Sequence, residues 1–147
     1  MCKKMKKSRK HILSLDYDYN YRMIGVCSHH IDYRLVWSIN NDLNLSLEKS
    51  DEEFIVVNKK GVHLSRHTFY EFRDENTMVN FFLIKNKSET KFLVPEKIEF
   101  DYFIFICEDN FDENSDFLEK VKQVGSVLTA VEFNPEEISS TENLVFG

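Results

Sequence analysis

Two stretches of the chain, Met78–Lys85 and Phe100–Cys107, are apolar on both faces and have the length and composition of strands. Successive side chains of a strand point to opposite faces of a sheet, so each of these strands needs apolar surroundings on both faces. In the second stretch Phe103 and Phe105 project to one face, while Ile104 projects to the other. Both stretches are therefore predicted to lie in the middle of a sheet that is covered on both sides.

Further segments with strand-like composition recur along the chain, separated by polar connections. The connections at 59–61, 74–76 and 86–88 contain Gly, Asp or Asn, which are typical of turns. The lengths and spacing favour an antiparallel meander in the central part of the chain. The predicted strands are His11–Tyr17, Phe54–Asn58, Ser65–Arg73, Met78–Lys85, Lys91–Val94, Phe100–Cys107 and Val127–Phe133. Met23–Val26 is predicted as either a short strand or an extended approach to the first helix.

Two segments have helical periodicity instead. The first is predicted over 29–43, with Ser28 as its N-cap and Asn44 as its C-terminal stop. The second is predicted from about Ser115 to Gly125. The apolar positions that we expect to face the core are Ile31, Leu35, Val36, Ile39 and Leu43 in the first helix and Phe117, Val121 and Val124 in the second.

The order of these elements is strand, helix, a run of strands, helix, strand, which predicts an α+β fold. We expect a mainly antiparallel β-sheet of about six to seven strands with the two helices on one face, and a ferredoxin-like arrangement with extra strands is the candidate topology. The other face must be closed by the aromatic N-terminal segment, by the C-terminal tail or by another protein. We expect the chain's own termini to supply part of this cover, with dimerisation as the alternative.

The chain of 147 residues is predicted to be a basic arm, residues 1–10, followed by a single domain, residues 11–147. The arm contains six Lys or Arg residues and no acid. The rest of the chain therefore has 13 basic and 25 acidic side chains, a net charge of −12. Nucleic acid is an unfavourable partner for so acidic a body, because Lys and Arg drive phosphate binding. We expect the arm to be a solvated, disordered terminus, with weak RNA contact through residues 3–10 as an alternative.

The three cysteines, Cys2, Cys27 and Cys107, are an odd number and lie far apart, which does not favour a disulfide framework. This pattern is typical of a reducing compartment. No apolar run approaches the length of a membrane span, and no secretory apolar region follows the basic arm. We therefore predict a cytoplasmic protein.

The sequence contains no pattern that identifies catalytic or cofactor chemistry, so it favours a non-catalytic role without a cofactor or metal. Its four glycines leave little room for a phosphate-binding loop. Cys27, His29 and His30 lie close together, but one cysteine and two adjacent histidines are a weak metal signal. Cys27 is interpreted as a small apolar residue rather than a nucleophile, and Cys107 as a packing residue.

Several segments resemble the IPExxVD family of small bacterial proteins. They are residues 13–19 (LSLDYDY), 23–28 (MIGVCS), 32–37 (DYRLVW), 94–96 (VPE), 100–103 (FDYF) and 142–146 (ENLVF). The motif that names the family begins with Ile and has two residues before Val-Asp. In this chain Val94 comes first, and residues 97–99 separate Glu96 from the segment Phe100-Asp101. The resemblance implies no reaction, cofactor or catalytic residue.

The corner formed by Val94, Pro95, Glu96 and Asp101 has a physical interpretation of its own. Proline fixes its own φ and keeps Val94 extended, so the preceding strand must end here. We expect the Glu96 and Asp101 carboxylates to accept backbone N–H groups or to pair with basic side chains. A structural corner is favoured over an active site with paired carboxylates, because no third catalytic group can be identified.

Tyr33 and Trp37 are the residues most suited to contact a partner. They lie one turn apart on the first predicted helix, on nearly the opposite side from its apolar stripe. Exposed aromatic residues in this arrangement serve as anchors of protein interfaces. We favour the alternative in which tyrosines of the N-terminal strand cover both side chains.

From these observations we expect a soluble protein-interaction or regulatory module, with a homodimer as one form of that interaction. The alternatives are a module that binds a small or acyl ligand between the sheet and its helices, and the weak RNA contact through the basic arm.

Overall fold

The computed structural model describes residues 21–107 and 116–146. The predicted strand His11–Tyr17, the arm 1–10 and Cys2 lie outside the described residues. The strands are β1 (Tyr21–Cys27), β2 (Glu48–Lys49), β3 (Phe54–Val57), β4 (His63–His67), β5 (Phe69–Asp74), β6 (Val79–Lys85), β7 (Lys87–Ser88), β8 (Lys91–Phe92), β9 (Tyr102–Cys107) and β10 (Thr129–Phe133). The α-helices are α1 (Asp32–Leu43) and α2 (Phe117–Lys122), and short 3₁₀ helices span Pro95–Lys97, Pro135–Glu137 and Ser139–Asn143.

One antiparallel sheet of six strands, in the order β10-β1-β9-β6-β5-β2, forms the centre of the described structure. Two smaller antiparallel pairs, β3 with β4 and β7 with β8, are separate from it. Helix α1 follows β1 and helix α2 follows β9, so the strands β10-β1-β9-β6 have the ferredoxin-like order, which β5 and β2 extend beyond β6. The predicted α+β class, with a mainly antiparallel sheet and two helices, is confirmed.

Strand β9 lies between β1 and β6, and each of its residues is buried. Phe103 and Phe105 belong to one apolar layer, while Ile104 and Ile106 belong to the other. The central position predicted from two-sided apolarity is confirmed for this strand. Strand β1 is longer than predicted and is also central, since it pairs with both β9 and β10.

The segment predicted as a single strand, Ser65–Arg73, is two strands that belong to different sheets. Strand β4 ends at His67 and β5 begins at Phe69. Between them the Thr68 carbonyl accepts a hydrogen bond of 3.1 Å from the Lys85 N–H. The break allows β5 to pair with β6 while β4 pairs with β3. The sequence pattern did not predict that β4 and β5 belong to different sheets, because both segments have the composition of strands.

The helices cover one face of the sheet, as predicted. Leu35, Val36 and Ile39 of α1 pack into the same apolar layer as Phe117 and Val121 of α2. The opposing sheet residues of this layer include Ile24, Val26, Leu83, Tyr102, Ile104, Ile106 and Ala130.

Helix α1 begins later than predicted. Its first residue is Asp32, preceded by Ile31 in an extended conformation, and Ile31 is exposed rather than part of the buried stripe. The Ser28 hydroxyl accepts a hydrogen bond from the His30 N–H at 3.1 Å, so it closes a turn before the helix instead of capping it. Asn44 ends the helix in the left-handed conformation, with φ 57°, as predicted.

The second face is covered by the β3–β4 pair, by the segment that follows β8 and by the C-terminal segment 134–146. Phe146 is the centre of this layer: its ring lies 4.7 Å from that of Phe105, 5.1 Å from Tyr21, 5.2 Å from Phe82 and 5.4 Å from Phe54. The contribution predicted for the C-terminal tail is confirmed. The other residues that join sheet and cover in this layer are Met23, Val56, Ile84, Leu93, Val94, Phe100, Phe103, Ile138 and Leu144.

Gly25 of β1 lies directly under two aromatic rings of this second layer. A Cβ atom there would lie 2.8 Å from Cδ1 of Phe100 and 2.9 Å from Cε2 of Phe133. These two rings meet edge to face with centroids 5.2 Å apart. The absence of a side chain at Gly25 is therefore what allows the rings to approach the strand.

Cys107 is fully buried at the end of β9, as its interpretation as a packing residue predicts. It is also disulfide-bonded, which the odd number of cysteines did not predict. Neither helix formed by the described residues combines the length and apolar character needed to cross a bilayer.

Replacing Phe146 by Ala is expected to lower the free energy of unfolding by about 3–5 kcal/mol, because it empties the centre of the second apolar layer. Equilibrium unfolding in urea measures this change. The matched control is Val145→Ala, whose side chain is exposed and which should stay within about 0.5 kcal/mol of the parent. Equal effects of the two substitutions would show that the C-terminal segment does not complete the core.

Candidate functional site

Helix α1 presents two large aromatic side chains to solvent. Tyr33 is 61% exposed and Trp37 is 68% exposed, whereas Leu35 and Ile39 on the other side are fully buried. The alternative favoured from the sequence, in which tyrosines of the N-terminal strand cover both rings, involves residues outside the described part of the chain and stays a prediction. An exposed tryptophan is costly to keep in water, so this helix face is the first candidate for contact with a partner.

The two aromatic residues line a groove between α1 and the loop that connects α2 to β10. The groove has a volume of about 550 Å³. Its lining residues on the helix side follow helical spacing, and Ser126 forms the opposite wall. The lining residues are His30, Tyr33, Arg34, Trp37, Ser38 and Ser126.

Three serines hold the two walls of the groove together. The Ser28 hydroxyl donates a hydrogen bond of 2.7 Å to the Ser126 carbonyl. The hydroxyls of Ser38 and Ser126 lie 2.7 Å apart and share a hydrogen bond. Leu128, two residues further on, donates its N–H to the Cys27 carbonyl at 2.9 Å. The loop is therefore fixed against α1 before any partner binds, which lowers the entropic cost of binding.

The Asp32 carboxylate at the start of α1 is engaged by other groups of the fold. The Asp32 carboxylate accepts the Tyr33 N–H at 2.8 Å and also accepts a hydrogen bond from the Tyr70 hydroxyl. Burial, the charge of Asp32 and this hydrogen bond raise the pKa of Tyr70 to about 12. Asp32 is thus engaged by the sheet, and the groove residues that the structure describes include no acid.

Tyr102 of the central strand β9 also fixes the start of α1. Its hydroxyl donates a hydrogen bond of 2.9 Å to the His30 carbonyl. Burial, followed by the charges of Asp32 and Asp101, raises its pKa to about 12. The hydroxyl therefore stays protonated at neutral pH and acts as a donor that positions the helix.

Cys27, His29 and His30 do not converge on a common site. The Cys27 thiol donates to the Glu99 carbonyl at 3.4 Å, and burial together with the charges of Asp101 and Glu99 raises its pKa. A thiol held protonated in this way is a poor nucleophile. Both histidines are exposed. Among the described residues, no group of three or more His, Cys, Asp or Glu side chains is placed to hold a metal ion.

The predicted corner is present, but its two carboxylates hold different segments. Val94 is buried, and Pro95 begins a 3₁₀ helix directly after the strand region. Glu96 accepts two hydrogen bonds from Ser140, at 2.7 Å from its hydroxyl and 3.0 Å from its N–H. Asp101 accepts the N–H of Ser28 at 2.9 Å. Glu96 thus holds the C-terminal segment, while Asp101 holds the turn before α1.

Asn86 organises this corner, although nothing in the residue pattern singles it out. Its side chain is fully buried and donates to the carbonyls of Lys97 and Phe100 at 3.0 and 2.8 Å. Its side-chain oxygen accepts the Val94 N–H at 2.9 Å. The backbone of Asn86 also bonds to Leu93 and Asp101. One amide side chain therefore satisfies three backbone groups of the buried loop.

The groove contains residues that sequence analysis did not select. Arg34, Ser38 and His30 could have been found from their helical spacing with Tyr33 and Trp37. Ser126 could not, because it is distant in sequence and reaches the groove only through the packing of α2 and β10.

Replacing Asn86 by Leu is expected to lower the free energy of unfolding by about 3 kcal/mol or more, because three buried backbone groups lose their partners. Thermal and urea unfolding measure the loss. Asn41→Leu, at an exposed position of α1, is the matched control and should change stability by about 0.5 kcal/mol or less. A small effect at Asn86 would mean that the corner does not depend on its amide.

The Glu96 carboxylate should make stability depend on pH. Partial burial works against its charge, but the hydrogen bonds from Ser140 and the charge of Lys97 outweigh it, so its pKa lies below the ordinary value of 4.5. The folded state thus binds the proton less readily than the unfolded state. The stabilisation is complete above the ordinary pKa and is lost as the pH falls through the lowered pKa.

Glu96→Gln should therefore be less stable than the parent by about 1 kcal/mol at pH 7, with the difference vanishing in acid. Urea unfolding between pH 7 and pH 2.5 tests this, with Glu137→Gln at an exposed position as the control. If the free energies of unfolding of the parent and Glu96→Gln differed by the same amount at every pH, the charge of Glu96 would not contribute to stability.

No protein-family model matches the chain, and no curated protein matches it. The resemblance to the IPExxVD family therefore stays a prediction that depends on short segments of sequence. What the chain does has to be inferred from its own geometry.

Proposed function

We propose that the chain is a non-catalytic protein-interaction module and that the groove beside Tyr33 and Trp37 is its contact surface. The observation that carries this proposal is the 68% exposure of Trp37 on a helix face whose neighbouring loop is fixed in place. Tryptophan and tyrosine dominate the energetics of protein interfaces, because each buries a large area with few rotatable bonds.

The two exposed rings supply a substantial part of the free energy that binding requires. Burying a large apolar side chain is worth about 1.5–3 kcal/mol, and two neighbouring aromatic side chains here are mostly exposed. The hydrogen bonds between the serines hold the two walls of the groove in place, so a partner binds to a groove that is already formed. A groove of about 550 Å³ accommodates one or two side chains of a partner segment.

No specific observation favours the two alternative functions. A small or acyl ligand between the sheet and its covers would compete with side chains that already occupy the space, such as Phe146 among its neighbouring rings. The RNA alternative depends on residues 3–10, which lie outside the described residues. Self-association stays within the main proposal, since a second copy of the chain is one protein that the groove could bind.

Trp37 is the single tryptophan of the chain, so its fluorescence reports directly on the proposed surface. Free protein should show the red-shifted emission and easy acrylamide quenching of an exposed indole. Binding of a partner should shift the emission to the blue and protect it from quenching.

Trp37→Ala should weaken partner binding at least tenfold without changing the thermal unfolding midpoint by more than a few degrees. Quantitative affinity capture compares the parent, Trp37→Ala and the matched control Ile98→Ala, which truncates another exposed apolar side chain outside the groove. If the parent, Trp37→Ala and Ile98→Ala captured the same proteins equally well, the interaction surface would lie elsewhere on the chain.

A further inference from the structure

We infer that the groove binds an acidic peptide segment that carries an apolar anchor side chain. This inference rests on the proposed function and adds the chemistry of the partner. It follows from three observations: the lining is rich in hydrogen-bond donors, Arg34 forms no ion pair with a described residue, and two aromatic rings are exposed beside it.

The lining of the groove is rich in donors. The Arg34 guanidinium and the Trp37 indole N–H are donors only, and the Tyr33 hydroxyl can also donate. Ser38 and Ser126 share one hydrogen bond, so one of their two hydroxyls keeps a proton to donate. None of the described residues that line the groove is Asp or Glu. A partner that supplies acceptors, carboxylates above all, is matched by such a surface, whereas a basic partner would find no acidic side chain among these described residues.

Arg34 differs from the other arginines of the described residues. Arg22 pairs with Glu132 at 2.7 Å, Arg66 with Glu53 at 3.1 Å and Arg73 with Glu75 at 3.6 Å. Arg34 is exposed and forms no ion pair with any residue that the structure describes. A guanidinium that forms no ion pair with the described acidic residues, and that follows one exposed aromatic residue and precedes another on the helix, is available for a carboxylate from a partner.

The guanidinium is suited to this role by its geometry. It offers a planar set of donors that binds a carboxylate through two parallel hydrogen bonds, and it can stack on aromatic rings at the same time. Tyr33 and Trp37 flank Arg34 along the helix and provide the apolar surface for an anchor side chain. One acidic residue near one aromatic or aliphatic residue is thus the smallest motif that fills the site.

The acidic body of the protein limits how far this attraction reaches. Residues 11–147 carry a net charge of −12, which repels an acidic partner at long range. Salt screens that repulsion beyond about 8 Å at physiological ionic strength, while the contact at Arg34 acts at short range. Moderate affinity with weak dependence on salt is therefore expected, unlike the steep dependence of a polyelectrolyte.

A library of random 12-residue peptides displayed on phage, selected on the immobilised full chain, tests the inference. We expect the enriched peptides to share Asp or Glu close to an aromatic or aliphatic residue. One enriched peptide is then synthesised with a fluorescent label, together with a version in which Asn and Gln replace its acids. Fluorescence anisotropy should show at least tenfold weaker binding of the neutral version.

Variants of the protein assign that binding to the groove. Arg34→Glu should weaken binding of the acidic peptide at least tenfold and Arg34→Lys severalfold, because lysine cannot form the paired hydrogen bonds. Lys87→Glu, the same charge reversal at an exposed position of β7, should leave binding within twofold of the parent. Circular dichroism and thermal unfolding confirm that each variant is folded.

The remaining outcomes separate failure of the inference from failure of the proposed function. Enriched peptides that are neutral or basic but lose binding in Trp37→Ala would overturn the acidic partner and leave the interaction surface in place. Self-association by sedimentation equilibrium that disappears in Trp37→Ala would identify a second copy as the occupant instead. No enriched peptide, or peptides indifferent to Trp37→Ala, combined with a monomer in sedimentation, would overturn both.

Discussion

The described structure depends on the two-sided burial of its central strand. Strand β9 is buried along its whole length, with Phe103 and Phe105 in one apolar layer and Ile104 and Ile106 in the other. A sheet of this kind is stable only when a second layer covers each face, because bare apolar faces would remain in contact with water. The helices meet this requirement on one side. On the other side it is met by the β3–β4 pair and by segments with little regular structure, with Phe146 at the centre of this layer.

The same requirement positions the candidate interaction surface. Helix α1 is held to the sheet by Leu35 and Ile39, and its start is fixed by the hydrogen bond from Tyr102 to the His30 carbonyl. An amphipathic helix held in this way must turn its other side to solvent. On most helices that side is polar, whereas here it carries Tyr33 and Trp37. The surface therefore has two causes. Helix α1 packs on the sheet and turns one side to solvent, and that side carries aromatic instead of polar residues.

Sequence analysis predicted most of the elements, since hydrophobic periodicity reports directly on which faces are buried. It was wrong where tertiary contacts decide between local alternatives. The segment around Thr68 divides into two strands because its halves pair with different partners. Ser28, expected as a helix cap, instead bonds to Ser126 and to the His30 N–H. Asn86 was not predicted to be important, because a polar residue in a turn is usually exposed and local sequence does not indicate that its amide is buried.

The sequence by itself determined the fold class, the central position of the strand around Phe103 and the aromatic side of the first helix, because these follow from the order and polarity of neighbouring residues. Only the tertiary structure decided what lies beside that helix. Ser126 reaches the groove across 88 residues of chain from Ser38. Within the described part of the chain, Arg34 has no carboxylate partner, whereas Arg22, Arg66 and Arg73 each pair with one. Such contacts join residues that are distant in sequence, and local pattern carries no information about them.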